Sequence, residues 1–246
     1  MKILLAPAET KNSGGEEKPF CKENFFLEEL FEKREEIFNT YEEFVSSLTI
    51  EELSKWFGLK KLEEVEKYKT SLKDKPTMKA INRYEGVAFD ALDYKNLDEK
   101  TQNYIDENVL LFSNLFGPIK ANDLIPDYKY KQGAKLPNIN VEKFYLENFS
   151  DSLDEFVGEE VIDLRAGFYE KFYKVKKANV LTFKFIKDGK VVSHWAKFYR
   201  GKLLQEIAKN DIKNHSEFMQ MQIPGLKLEE IQEKKNVKLL IMSIED

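Results

Sequence analysis

Two sets of residues in this chain have the types and spacing for chemistry. The first is cationic: Arg165, Lys197 and Arg200 each follow an apolar stretch and are expected at strand ends. There an arginine fork grips phosphate or carboxylate by two bonds and a lysine supplies a point charge. Lys11, Arg83, Lys120, Lys129 and Lys171 extend this set. The second is Glu9, Asp123 and Tyr169, candidates for orienting those cations or for acid/base work. Tyr84 and Tyr169 also offer ring faces on which a base stacks. Blander roles stay open for each: solvated loop carboxylates, arginine stems packed on aromatics, tyrosines in a cleft wall.

The element that must organise these residues is Asn108–Leu136. An apolar strand, 109–116, stops at Gly117-Pro118 and opens into a loop with Lys120 and Asp123. Beyond Pro126 an extended segment carries Lys129, Lys131 and Lys135. A buried strand ending in a basic loop is a common way for α/β proteins to build a site. Residues 2–6 read as a short first strand feeding Glu9 and Lys11. Residues 160–164, Glu-Val-Ile-Asp-Leu, feed Arg165 and Tyr169. Residues 179–186 and 191–198 are predicted strands joined by an Asp188-Gly189 turn, with Lys197 and Arg200 at the end of the second. Arg200-Gly201 then precedes a helix over 202–209, and 237–244 is a last strand.

Helices fill much of the rest. Leu27 to Leu48 carry an apolar stripe at three-to-four-residue spacing. Thr49 with Glu52 makes a capping box for a helix that Gly58 ends, and Leu59 to Leu72 continue in another. The turn Phe57-Gly58-Leu59-Lys60 therefore reads either as a plain helical hairpin or as a helix–hairpin–helix element facing a DNA phosphate. Further helices are expected at 98–108 and 141–157. Trp56 and Trp195 are expected in the core, and His194 on a strand. The fold class is α+β: one domain over 1–246, a mixed β-sheet flanked by helices, with 16–75 as a helical edge subdomain.

Composition bounds the function. Of 246 residues 42% are hydrophobic, yet no apolar run approaches a membrane span, and the start, Met1 to Pro7, is too short for a signal peptide. A cytoplasmic protein is expected. With Cys21 the sole cysteine and two histidines, 194 and 215, no metal site and no cofactor are expected. The net charge of −5 conceals segregation: residues 16–67 hold fifteen acidic against eight basic side chains, residues 165–202 eleven basic against two acidic. One face then repels polyanions while another attracts them, unless the lysines merely solvate a sheet.

The order of motifs resembles that of the YaaA peroxide-stress family. It runs from Pro7-Ala8-Glu9-Thr10-Lys11, through Arg83-Tyr84-Glu85-Gly86-Val87-Ala88-Phe89-Asp90, to Ser113-Asn114-Leu115-Phe116-Gly117 with Lys120 and Asp123. Tyr128-Lys129, Asp163-Leu164-Arg165 with Tyr169, and Ala196-Lys197 with Arg200-Gly201 complete it. Glu9 stands where many members have lysine, and Pro7, Glu9 and Lys11 match the Pro-x-Glu-x-Lys version. The resemblance implies a cytoplasmic protein that limits peroxide damage, associated with lower free iron. It also implies a positively charged cleft and a hairpin element binding double-stranded or branched DNA. The alternative from the residues themselves is an enzyme acting on a nucleotide or other phosphorylated small molecule in the same cleft.

Overall fold

The computed structural model describes residues 1–245, the side chain of His194 excepted. β1 (Lys2–Leu5) and the two-residue β2 (Thr10–Lys11) come first, followed by α1 (Phe31–Ser47), α2 (Ile50–Phe57) and α3 (Leu62–Lys69). Short elements come next: β3 (Thr77–Lys79), α4 (Ala80–Arg83), β4 (Tyr84–Glu85) and α5 (Val87–Leu92). Then come α6 (Glu99–Asn108), β5 (Val109–Ser113), β6 (Gly117–Lys120), β7 (Leu124–Pro126), α7 (Val141–Val157) and β8 (Glu160–Leu164). The chain closes with β9 (Asn179–Lys187), β10 (Lys190–Val191), α8 (Ser193–Lys209), α9 (His215–Gln220), β11 (Leu226–Lys234) and β12 (Val237–Ile244).

The main sheet has the order β11-β12-β9-β8-β1-β5-β6, with β10 pairing β9. β12, β9, β8, β1 and β5 run parallel, and β11 and β6 are antiparallel edges. This is the mixed sheet that the sequence implies, and helices flank it. All five residues of β5 are buried, as are three of the four in β1, which is the burial expected of central parallel strands. One hydrophobic core joins the sheet to α1–α3 through Tyr41, Val45, Leu53, Phe57 and Val65.

β1 is the pivot. The chain leaves it to pair β5 on one side, and later returns to pair β8 on the other (Ile3 opposite Val109 and Ile162). The order of strands reverses there, so the loops beyond the C-terminal ends of β1, β5 and β8 part around a crevice.

Local signals explain most elements. Thr49 Oγ1 accepts from Glu52 N at 3.3 Å and Glu52 returns the bond to Thr49 N at 2.9 Å, which starts α2. Gly58 ends it at φ 69°, a left-handed conformation that glycine adopts at least cost. Asp188 and Gly189, at φ 51° and 73°, make the expected turn.

Beyond that turn the expectations fail. The return strand is only Lys190–Val191, and residues 193–209 form one helix rather than a strand and a later helix. Ala196, Tyr199, Leu203, Leu204, Ile207 and Ala208 are all buried, and their three-to-four spacing is helical. Gly201 is not a boundary: a Cβ there would lie 2.0 Å from the Ala88 carbonyl oxygen, so it is where α8 lies directly on α5. Trp195 is 43% exposed instead of core, and Trp56 is only half-buried. The His194 backbone lies in α8, and its side chain is outside the described residues. The apolar run 109–116 is also not one strand. It turns at Asn114–Phe116 and comes back as β6, with Pro118 on an edge strand where its missing N–H is tolerated.

Candidate functional site

The crevice at the end of β1 gathers Glu9, Lys11, Tyr84, Lys129 and Tyr169 from the residues singled out by sequence. β2 pairs with β4 so that Lys11 lies opposite Tyr84. The ribbon is held from behind by Arg83, which is fully buried and donates to the carbonyls of Asn12, Gly14 and Ile125. Arg83 therefore holds the loop and does not face a ligand.

Lys11 is half-buried and lines the cleft beside α3. Its Nζ lies 4.2 Å from the ring centre of Tyr128 and 5.3 Å from that of Tyr84. The two tyrosine hydroxyls share a hydrogen bond of 2.9 Å, and Tyr128 pairs with Ser113 Oγ at 2.7 Å. Ser113 Oγ accepts from the backbone N–H groups of Leu115 and Phe116, so the chain of hydroxyls ends on fixed donors. Burial pushes the Lys11 amine down to about 7, Lys129 adding to the fall while Glu9 and Asp127 oppose it. Burial also raises the Tyr84 phenol, to about 12.

Lys129 reaches Glu9 at 3.7 Å, and Glu9 accepts from Gln132 N at 2.7 Å. Tyr169 is buried in the wall, and burial raises its phenol, with Tyr84 and Glu9 adding to the rise and the Asn114 side chain opposing it. Opposite stands α3: Lys67 pairs with Asp127 at 2.5 Å and Tyr68 donates to the same carboxylate at 3.2 Å. Between the loop and α3 lies a cleft of 480 Å³, lined by Glu9, Lys11, Leu59, Lys67, Tyr68 and Lys129 among others.

A second groove lies along the segment that follows Lys129. It measures 640 Å³ and is lined by Lys135, Lys143, Lys171 and Lys174, with Phe168 and Glu142. Lys171 lies over the Phe168 ring at 4.8 Å. The segment 129–135 links this groove to the α2–α3 turn. Tyr41 donates to Lys129 O at 3.0 Å, Trp56 Nε1 to Lys135 O at 3.0 Å, and Lys131 covers Gly58, whose added Cβ would meet the lysine Cδ at 3.3 Å. Phe57 is buried in this turn, while Gly58 and Lys60 are exposed and Leu59 is half-buried.

Other expected residues lie elsewhere. Lys120 and Asp123 are at the opposite end of the sheet, because β6 runs back along β5 and sets Lys120 beside Leu110. Asp123 is buried, accepts from the N–H groups of Phe26 and Lys120, and is pushed up to about 6 by burial, with Arg34 opposing. It ties two chain segments together and is remote from the crevice. Arg165 forms a two-pronged pair with Asp163 (2.6 and 2.9 Å), donates to the Tyr169 and Tyr173 carbonyls and stacks on Phe112 at 4.6 Å. Its guanidinium is fully engaged. Arg200 is part-buried on α8, where burial lowers its pKa and Asp163 opposes that fall. Lys197 is exposed on the same helix.

Reading by residue type missed Tyr128, Ser113, Lys143 and Lys174. The first two sat inside recognised motifs without an evident role, since only the fold sets them beneath Lys11. Lys174 and Lys143 looked like ordinary surface charges.

The architecture and the crevice define an α+β protein with a switch-point site beside a lysine-lined groove. The sequence model of the family described as "Peroxide stress protein YaaA" matches residues 1–232, and the chain belongs to that family. It is 48% identical to an uncharacterized protein of Campylobacter jejuni over the whole of both chains. It is 35% identical to a UPF0246 protein of Corynebacterium glutamicum, covering 98% of this chain and 100% of the relative. A UPF0246 protein of Finegoldia magna is 28% identical over 99% of each. No helix among the described residues is long and apolar enough to cross a membrane.

Proposed function

We propose that this chain is a cytoplasmic peroxide-stress protein that holds double-stranded or branched DNA along the lysine groove, as part of a response that limits damage from free iron and peroxide. One observation carries the reading. The segment 129–135, which carries Lys129, Lys131 and Lys135, contacts the α2–α3 turn at one end and lines the groove of Lys143, Lys171 and Lys174 at the other, which supports a basic track along it. Phosphates contact such a track by charge, while the turn offers backbone and Lys60 to one strand. The test is anisotropy with a labelled duplex over a salt series. The logarithm of affinity is expected to fall linearly with that of salt. Lys171→Glu with Lys174→Glu is expected to reduce the slope by about 2, since each phosphate contact contributes about 0.9. Absence of duplex binding at low ionic strength would end this reading.

A second reading rests on a different observation, the 480 Å³ cleft in which Lys11 and Lys129 stand beside Glu9. That space suits a phosphorylated or carboxylated small molecule, and the groups beside it are those of acid/base chemistry. Thermal shifts with a panel of nucleotides and sugar phosphates test it, and a flat panel counts against it.

A further inference from the structure

We propose that Lys11 is a carbonyl-reactive amine, and that the crevice holds a small aldehyde or ketone bearing a carboxylate or phosphate as an imine on Lys11. This deepens the small-molecule reading of the crevice and rests on it.

The placement of Lys11 differs from that of the lysines around it. Lys129 is paired with Glu9 and Lys67 with Asp127, whereas among the described residues no carboxylate lies within the 4.0 Å ion-pairing distance of Lys11. Its Nζ is set against two ring faces. The β2–β4 ladder fixes its backbone, and Arg83 clamps the residues that follow. The charged and titratable groups facing it come from every neighbouring element. They are Glu9 from its own loop, Arg83 from α4, and Tyr84 and Glu85 from β4. Asp127, Tyr128 and Lys129 come from the extended segment, and Glu64 and Lys67 from α3. Burial, with Lys129 and Arg83 as like charges, outweighs Glu9 and Asp127 and brings the amine down to about 7, so free amine is present at neutral pH.

The step balances without an oxidant. The nitrogen lone pair attacks the carbonyl carbon, and the C=O π electrons move to oxygen. A proton passes from nitrogen to that oxygen to give the carbinolamine. The hydroxyl then leaves as water with the second amine proton, and C=N remains. Lys129, held to Glu9 only at 3.7 Å, is placed to take the ligand's anionic group.

The experiment exposes the full chain to glyoxylate, and separately to glycolate, which matches its charge but lacks the carbonyl. Thermal shift is read first, then trapping by cyanoborohydride with peptide mapping. The expected result is stabilisation by both acids, with a reduced adduct from glyoxylate alone. The adduct should sit on Lys11, at occupancy about tenfold or more above exposed Lys60 at pH 7, because an ordinary lysine is almost wholly protonated there. Its yield should be half-maximal near pH 7, and Lys11→Arg should remove it. Because the mapping is done on the unaltered chain, it stands even if that variant misfolds. Stabilisation by both acids with no adduct on Lys11, or with adducts spread evenly over surface lysines, overturns the imine and leaves the small-molecule crevice intact. No stabilisation and no adduct overturns both.

Discussion

Lys11 stores a cost that its removal should release. The amine falls to about 7 in the folded chain from an ordinary value of about 10.4 when unfolded. Between those values the unfolded chain binds the extra proton, so stability rises with pH across that window. The penalty is full below about pH 7 and gone above about pH 10. Lys11→Met, which keeps the stem and suits the tyrosine faces, is therefore expected to raise Tm by about 2–4 °C at pH 6, with the gain vanishing at pH 10. Calorimetry at the two pH values checks it, and a gain that grew with pH would contradict the assignment. Such a residue is only partly legible in a sequence. Its type and its place after the first strand were readable. What was not readable is that Asp163 occupies Arg165, that backbone carbonyls occupy Arg83, and that Lys11 faces two tyrosine rings. Arginine, lysine and aspartate look equally available until their partners are known.

Among elements, α8 departs furthest from its local propensities. Val191, Val192, Trp195, Phe198 and Tyr199 have strand-like propensities, and the glycine at 201 looks like a stop. Packing overrides both, since burial at 196, 199, 203, 204 and 207 needs a helical turn. The role of Gly201 gives a sharp test. In an open helix Gly→Ala adds about 1 kcal/mol through propensity, but here the methyl would meet the Ala88 carbonyl. Gly201→Ala is expected to lower stability by about 1–3 kcal/mol, read from the urea midpoint, and an unchanged or higher midpoint would refute the close contact. Edges were hard to see for another reason. β11, Leu226–Lys234, is mostly charged and exposed, so it carries almost no apolar alternation, although it pairs along the length of the clearly apolar β12. Where a strand buries both faces, as β5 and β8 do, the sequence announces it.

Across the whole molecule, the general class of the fold was legible because apolar runs and helical stripes alternate along the chain, and the basic character of residues 165–202 was visible in the lysine count. Convergence was not legible. The turn at Asn114–Phe116 sends Lys120 and Asp123 to the far end of the sheet, while Lys171 and Lys174 come to stand with Lys135 and Lys143. The β1 pairing has a temporal consequence. β1 has its two neighbours more than a hundred and more than a hundred and fifty positions downstream (Ile3 with Val109 and Ile162). Local helices such as α1 can gather early, but the centre of the sheet must wait for distant chain to arrive, and such topologies fold slowly. Arrest-peptide force measurements on nascent chains are expected to register no pairing on both sides of β1 before residue 164 has cleared the tunnel. During synthesis, Ile3-Leu4-Leu5 remains an unsatisfied sticky end, so the newborn chain depends on whatever shelters it far more than the finished protein does.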